Sequence, residues 1–173
     1  MSFALHDALV PNWLQILGAV SDLLDKARAH CAEHKLPDTA LIEARLAPDM
    51  LPFGFQVKSA VVHSIGAIEG VRRGVFSPDR SPWPDTLAGL GDLVSTAVQE
   101  LAKIEPAEIN GFLGRDMRFE IGERRIDFTA QDFLLSFSVP NFFFHASTAY
   151  DILRNQGVAI GKLDFLGAMR RKG

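Results

Sequence analysis

Four stretches of this chain carry apolar residues at intervals of three and four, the spacing that places side chains on one face of an α-helix. The first stretch, residues 7–34, has the clearest stripe: Leu9, Trp13, Leu17, Val20, Leu24 and Ala27. The other three lie at residues 53–73, 86–103 and 129–155. A helix with one apolar face must bury that face against another element. The spacing therefore predicts an all-α fold, an antiparallel four-helix bundle, and we expect residues 1–173 to form one such domain.

The segments between these helices contain strong helix breakers. Residues 72–85 hold three prolines and show no periodicity, so we expect a surface loop there. Residues 117–128 alternate apolar and polar side chains on both sides of a glycine, which predicts a small β-hairpin between helices three and four. Pro140 lies inside helix four and is expected to kink it, freeing the carbonyl of Phe137 or one near it.

Composition narrows the class of function. The chain has 18 basic and 21 acidic residues and a net charge of −3, so it offers no positive field for a phosphate backbone or an anionic lipid surface. We therefore expect neither nucleic acid nor a membrane as partner. Cys31 is the only cysteine, which excludes an internal disulfide and suits a reducing compartment. No signal-peptide pattern and no apolar run of membrane-spanning length is present, so the expected location is cytoplasmic.

Two of the predicted helices carry polar residues in line with small ones. On helix two, Gln56 and His63 lie on one edge, two turns apart, with only small side chains between them. On helix four, Ser138, Asn141 and His145 share one line. If these lines face each other, two imidazoles meet inside the bundle beside a hydroxyl and two amides. Neutral imidazole is the commonest protein ligand for divalent transition metals, so His63 and His145 are the candidate metal ligands.

A metal-free interior accounts for the same residues. In that interpretation the ring nitrogens of both histidines bond Gln56, Asn141 or the carbonyl that Pro140 frees. A catalytic zinc normally has three protein ligands plus water, and no third histidine falls on either line. The residues alone leave both interpretations open.

Arg45 and Asp49 lie in the RLAPDM turn just before helix two. They form either a polar lid that binds an acidic or amide substrate at the open end of the bundle, or an ion pair and cap that fix the turn. His30 and His34 make a separate pair at i and i+4 on the last turn of helix one. That spacing can bind zinc, but cationic side chains are favoured at a helix C-terminus without any metal.

Three segments resemble one protein family. They are LLDKARAH near the start, ARLAPDMLPFGFQV in the middle and LLSFSVPNFFFHASTAYDILRNQGVAIGKLDFLG at the end. Together they resemble an uncharacterised bacterial domain of unknown function in the DinB/YfiT-like superfamily, and the resemblance covers nearly the whole chain. It implies an up-down-down-up four-helix bundle with a small β-hairpin between helices three and four, often found as a homodimer.

The resemblance also carries an expectation about chemistry. Many members of the superfamily bind a divalent metal through one histidine of helix two and two histidines of helix four at i and i+4. His63 and His145 match the first two positions, while the third falls on Ala149. The implied cofactor is one divalent metal, zinc or nickel, held by an incomplete histidine triad.

Two classes of function follow from this resemblance and these residues. The first is a metal-dependent transferase or hydrolase acting on a small molecule, with Gln56, Asn141, Arg45 and Asp49 binding substrate or supporting the ligands. The second is non-enzymatic: a dimeric module that binds a small ligand or a partner through a metal-free, hydrogen-bonded interior.

Overall fold

The computed structural model describes residues 4–172. Its helices are α1 (Leu5–His34), α2 (Thr39–Ile42), α3 (Phe53–Val62), α4 (Ile65–Arg73), α5 (Leu87–Ala102), α6 (Pro106–Asn110), α7 (Ala130–Asp132), α8 (Val139–Asn155) and α9 (Lys162–Leu166), with a π-helical stretch at Phe133–Ser138. Its strands are β1 (Val75–Phe76), β2 (Asp116–Ile121) and β3 (Arg124–Thr129). Residues 1–3 and 173, which the single-domain prediction includes, lie outside this description.

Four helices form the body of the fold. Helix α1 packs against α5 and α8, and α3 packs against the same two helices. The predicted stripe of α1 is confirmed, because each of its six residues is at most 1% exposed: Leu9, Trp13, Leu17, Val20, Leu24 and Ala27. These side chains belong to one apolar cluster that also takes in residues of α3, α5 and α8. No helix within residues 4–172 is long and apolar enough to cross a membrane.

The predicted second helix is interrupted, and the prediction of one helix over residues 53–73 is wrong. It ends as α3 at Val62 and resumes as α4 at Ile65, with His63 and Ser64 between the two. Ser64 has φ −115° and ψ −92°, which no helix allows. Its buried hydroxyl lies 3.0 Å from the carbonyls of Ala60 and Val61 and replaces bonding lost at the break. The break thus places His63 at the end of a helix instead of in its middle.

The proline-rich segment, residues 72–85, contains a short strand in addition to a surface loop. The prediction of an all-α fold with one hairpin omits this third strand. Val75 and Phe76 form β1, which pairs in parallel with β2, while β2 and β3 form the predicted antiparallel hairpin. Gly74, at φ 75°, ends α4 and accepts a hydrogen bond from the backbone N–H of Arg118. Phe76 is 3% exposed. The sheet anchors the start of this segment beside the helices.

The fourth predicted helix changes its winding just before Pro140. A π-helical stretch occupies residues 133–138, and Pro140 is the second residue of α8. Proline is tolerated there because its missing N–H falls at the start of a new helical segment. The Phe137 carbonyl accepts the side-chain amide of Asn141 at 2.7 Å. π-helical turns occur often at functional sites, which directs attention to the residues beside this one.

Candidate functional site

His63 and His145 face each other between α3 and α8. Their ring centroids are 5.8 Å apart and the two planes differ by 17°. Both imidazoles are partly buried. The structure therefore brings together the two residues that the sequence selected as candidate metal ligands.

The ring of His145 is oriented by Gln56. Its Nδ1 lies 2.7 Å from the Gln56 Oε1, and the Gln56 Nε2 donates to the Leu51 carbonyl at 2.8 Å. An amide oxygen only accepts hydrogen bonds, so the Nδ1 of His145 carries the proton. In the neutral imidazole this leaves a lone pair on Nε2, the arrangement usual in histidines that ligate metals.

Ser138 orients the ring of His63 in the same way. The Ser138 Oγ donates to the backbone carbonyl of His63 at 3.0 Å and lies 3.4 Å from its Nδ1. Since the hydroxyl proton is used by the carbonyl, the oxygen accepts from Nδ1, through a longer and weaker bond. The lone pair of His63 is then also on Nε2. Ser138 is fully buried at the end of the π-helical stretch, so this change of helical winding is what places the hydroxyl.

Both imidazoles are neutral near pH 7. Burial lowers the pKa of His145 from 6.5 to about 4. The pKa of His63 falls to about 4 as well, mainly through burial and further through repulsion from a charged His145. Transfer of a charged group out of water is unfavourable, so each ring keeps the form whose lone pair can bind a metal or accept a proton.

A cavity of about 370 Å³ opens beside the two rings. Its aromatic wall consists of Phe55, Phe76, Phe119 and Phe137. Three of these rings pack against the imidazoles at centroid distances of 5.4 to 5.8 Å. The polar lining comes from Lys58, Ser59, Asp79, Arg80 and Asn141. An apolar cavity with a few convergent polar groups is the usual form of a small-molecule site.

Three residues of the cavity rim escaped the sequence analysis. Lys58 is 5% exposed, and its Nζ lies 3.1 Å from the Asp79 carboxylate and 2.9 Å from the Ser81 hydroxyl. Lys58 therefore links α3 to Asp79 and Ser81 in the loop after β1, and Arg80 lies between these two loop residues. One signal was available: Lys58 stands alone in the apolar run FGFQVKSAVV, and a lysine in a buried stretch requires a partner.

Of the remaining candidate site residues, Asn141 lines the cavity, whereas Arg45 and Asp49 do not. Asn141 lines the cavity, although its amide nitrogen is bonded to its own helix. Arg45 donates to the Met50 carbonyl at 2.8 Å, so it fixes the turn through the backbone instead of through Asp49. Arg45 and Asp49 are both exposed, and neither is among the residues that line this cavity.

The second histidine pair stacks on itself at the end of α1. The rings of His30 and His34 stack at 4.2 Å, and the Nδ1 of His34 lies 3.0 Å from the His30 carbonyl. Burial, and then the nearby charge of Asp38, raises the pKa of the Cys31 thiol, which disfavours the reactive thiolate. Within residues 4–172, no three side chains among histidine, cysteine, aspartate and glutamate converge as a metal site would require.

The two imidazoles fit a metal in part. Each has its Nδ1 held by an acceptor and its Nε2 lone pair free, which is the donor state that zinc and nickel require. Ala149, at the position of the third superfamily ligand, is 1% exposed and contributes only a methyl group. A metal here would complete its shell with water, substrate or the amide groups nearby.

Comparisons with known proteins concern the chain as a whole. Residues 5–166 match the family described as a domain of unknown function, DUF1993. The chain is also similar to a crystal structure of a DinB family member protein from Shewanella denitrificans, with a TM-score of 0.81 and 26% sequence identity over 98% of this chain and 95% of that chain. No curated protein matches the chain in sequence.

Proposed function

This chain belongs to the DUF1993 family, whose DinB-like fold it shares, and on that premise we propose that its cavity binds a small molecule together with one divalent metal, zinc or nickel, held by His63 and His145. The observation that carries the proposal is the shared state of the two rings. Both are neutral, both have Nδ1 tied to an acceptor, and both have the lone pair on Nε2.

The proposed activity is that of a transferase or hydrolase. A metal bound there would act as a Lewis acid and lower the pKa of a bound water or substrate hydroxyl or thiol. The chain itself would contribute orientation, because Gln56 and Ser138 fix the two rings. The wall of Phe55, Phe76 and Phe137 would exclude water from the reacting groups.

Two protein ligands leave more coordination positions open than the three found in most catalytic zinc sites. The expected consequence is weaker metal binding, with the vacant positions available to water and substrate. Ala149 is the residue responsible for this difference from the superfamily pattern.

The test is metal stoichiometry in protein purified without a histidine tag. After loading with zinc or nickel and removal of the excess, the wild type should retain about one ion per chain, and His63→Ala and His145→Ala should each lose it. His34→Ala is the matched control, because it removes an imidazole from the pair on α1 and should retain the ion. The metal proposal fails if the wild type retains none, or if neither cavity variant changes the amount retained.

A metal-free binding module is the second candidate, and a specific observation favours it. The Nδ1 atoms, Gln56 and Ser138 already satisfy one another without a cation, and Ala149 supplies no ligand. In this case the imidazoles would accept hydrogen bonds from a ligand through Nε2. Absence of retained metal, with both variants folded but unable to bind small molecules, would support this candidate.

Three further features remain proposals that rest on the family likeness and the sequence. They are the up-down-down-up order of the helices, assembly as a homodimer, and a cytoplasmic location. Light scattering coupled to size-exclusion chromatography tests the second, since a dimer would show twice the mass of one chain.

A further inference from the structure

We infer that the ligand of this cavity is a small organic anion with an apolar body, and that Arg80 selects it. This inference rests on the proposed function, since it takes the cavity beside His63 and His145 as the binding site. It adds the charge of the ligand and the residue that recognises this charge.

The walls of the cavity define the apolar part of the ligand. Phe55, Phe76, Phe119 and Phe137 supply aromatic rings, and Val62 adds an aliphatic side chain. The phenylalanine rings are in edge or tilted contact with the histidines or with one another. Such a wall favours an aromatic or branched aliphatic group, because burial of apolar area is the main source of affinity in pockets of this kind.

Apart from the proposed metal, the charged side chains around the cavity leave one cation free within the described residues. Lys58 directs its ammonium group to the loop, at 3.3 Å from the Asp79 carbonyl, 2.9 Å from the Ser81 hydroxyl and 3.1 Å from the Asp79 carboxylate, and it also donates to the Ser81 carbonyl. Three N–H donors have no capacity left for a ligand. The Asp79 carboxylate is paired with the same lysine.

Arg80 is the remaining charge on the lining. Its exposed side chain has no carboxylate within 4 Å among residues 4–172, whereas Glu120 on the neighbouring strand pairs with Arg125 at 3.6 Å. A guanidinium presents a planar fork of donors that matches a carboxylate or phosphate. In a chain of net charge −3, this rim is a local exception that attracts anions.

The position of Arg80 is fixed by its two neighbours. Asp79 and Ser81 are both bound to the buried Lys58, and the Ser81 N–H also donates to the Asp79 carboxylate at 2.8 Å. The backbone of Arg80 is therefore held at the cavity edge while its long side chain stays available. Holding the backbone in advance lowers the entropy lost when a ligand binds.

The experiment compares matched probes in the tag-free full chain, with no metal added, by isothermal titration calorimetry. Phenylacetate and phenyl phosphate are the anionic probes, and phenylacetamide is the neutral isostere of the first. The wild type should bind at least one anion about tenfold more tightly than the amide, as one charge-assisted hydrogen-bond pair predicts. Arg80→Gln should abolish this preference, and Arg80→Lys should retain part of it.

The control is Arg154→Gln, which removes the same charge from the exposed end of α8 and should leave the preference unchanged. The inference is overturned if the wild type binds the amide as well as the anions, if no probe binds, or if Arg80→Gln keeps the preference. The zinc titration on Arg80→Gln separates this outcome from failure of the proposed function. Metal retention depends on His63 and His145, so it should be the same in that variant as in the wild type.

Discussion

The two halves of the helical body are built on different principles. The buried side chains of α1 and α5 are all apolar, and each helix runs without interruption, for 30 and 16 residues. Helices α3 and α8 also pack closely, but between them lie Gln56, His63, Ser138 and His145. On this side both helical segments are irregular, one broken after Val62 and the other wound as a π-helix before Val139. The irregular backbone occurs where polar side chains have to meet.

In the described part of the chain, the two halves differ in whether their buried polar atoms have hydrogen-bond partners, and the atom without a partner lies in the apolar half. Among the buried side-chain polar atoms of residues 4–172, only the Trp13 Nε1 has no partner, and it belongs to α1 in the apolar half. The buried polar groups of Gln56 and Ser138 are bonded in the other half. A satisfied polar cluster costs little once formed, and an apolar core of the same volume is often about equally stable.

The largest loss of stability is expected from a substitution in the apolar half, formed by α1 and α5. Leu17→Ala removes a fully buried side chain from α1 and should lower the free energy of unfolding by about 3 kcal/mol, through lost burial and the cavity left behind. Urea denaturation followed by circular dichroism measures this loss. Leu163→Ala, at a position 74% exposed, is the control and should change stability by less than about 0.5 kcal/mol. Equal losses in both variants would contradict the assignment of the core.

The second largest loss of stability is expected at acid pH and comes from the polar half, formed by α3 and α8. The pKa values of His63 and His145 are lowered to about 4 in the folded chain, against 6.5 as the ordinary value. Between these two values the unfolded chain binds more protons than the folded one. The contribution of the two histidines to the free energy of unfolding is therefore fully present above pH 6.5 and is lost as the pH drops toward 4. We expect a loss of roughly 2 kcal/mol between pH 6.5 and 4.5, after allowance for solvent screening at the cavity.

The variant that tests this pH dependence is His63→Phe combined with His145→Phe. Its stability should be nearly constant over the same range, apart from the contributions of groups that both proteins share. Parallel slopes for wild type and variant would show that the two imidazoles do not titrate as stated.

A smaller effect is expected from the hydroxyl that orients His63. Ser138→Ala removes the bond to the His63 carbonyl and should cost about 1 kcal/mol, because a buried acceptor loses its donor. If the metal proposal holds, zinc affinity should also fall about tenfold, as is usual when a residue that orients a ligand is removed. Ser136→Ala, on the exposed side of the same π-helical stretch, is the matched control. An unchanged zinc affinity in Ser138→Ala would separate stability from metal binding.

The smallest change in stability should come from converting the polar half into an apolar one. Gln56→Leu combined with His145→Phe replaces both partners of one hydrogen bond by groups of similar shape. The free energy of unfolding should then change by less than about 1 kcal/mol, whereas Gln56→Leu alone should be more destabilising. Metal and ligand binding should be lost in the double variant. A loss of several kcal/mol would show that the polar pair is needed for the fold itself.

Much of the architecture follows from periodicity, and much of the site does not. The stripe of α1 and the hairpin of β2 and β3 were predicted with little error, because each depends on side-chain spacing within one element. The break at His63 and the π-helical stretch before Val139 were missed. Spacing reports which residues share a face, but it does not report where the backbone departs from regular winding to satisfy a hydroxyl or an imidazole.

The part of the site formed by α3 and α8 was predicted from the sequence. The pairing of His63 with His145 and the contact of the latter with Gln56 follow from polar residues on the facing lines of α3 and α8. The rim formed by Asp79 and Arg80 was not foreseen. Its loop has no periodicity, and its position depends on a parallel strand and on a lysine one element away.

The amino-acid sequence by itself determined that the chain is mainly helical, which faces are buried, and that two histidines lie in line with small and polar residues, because spacing and hydrophobicity act locally along the chain. Only the tertiary structure decided which atoms meet. Contacts between segments distant in sequence set the tautomers of His63 and His145 and lower their pKa values. Such contacts also place Arg80 on the lining of the same cavity. Burial and hydrogen-bond geometry are properties of the packed molecule, so they become defined only when α3, α8 and the loop after β1 come together.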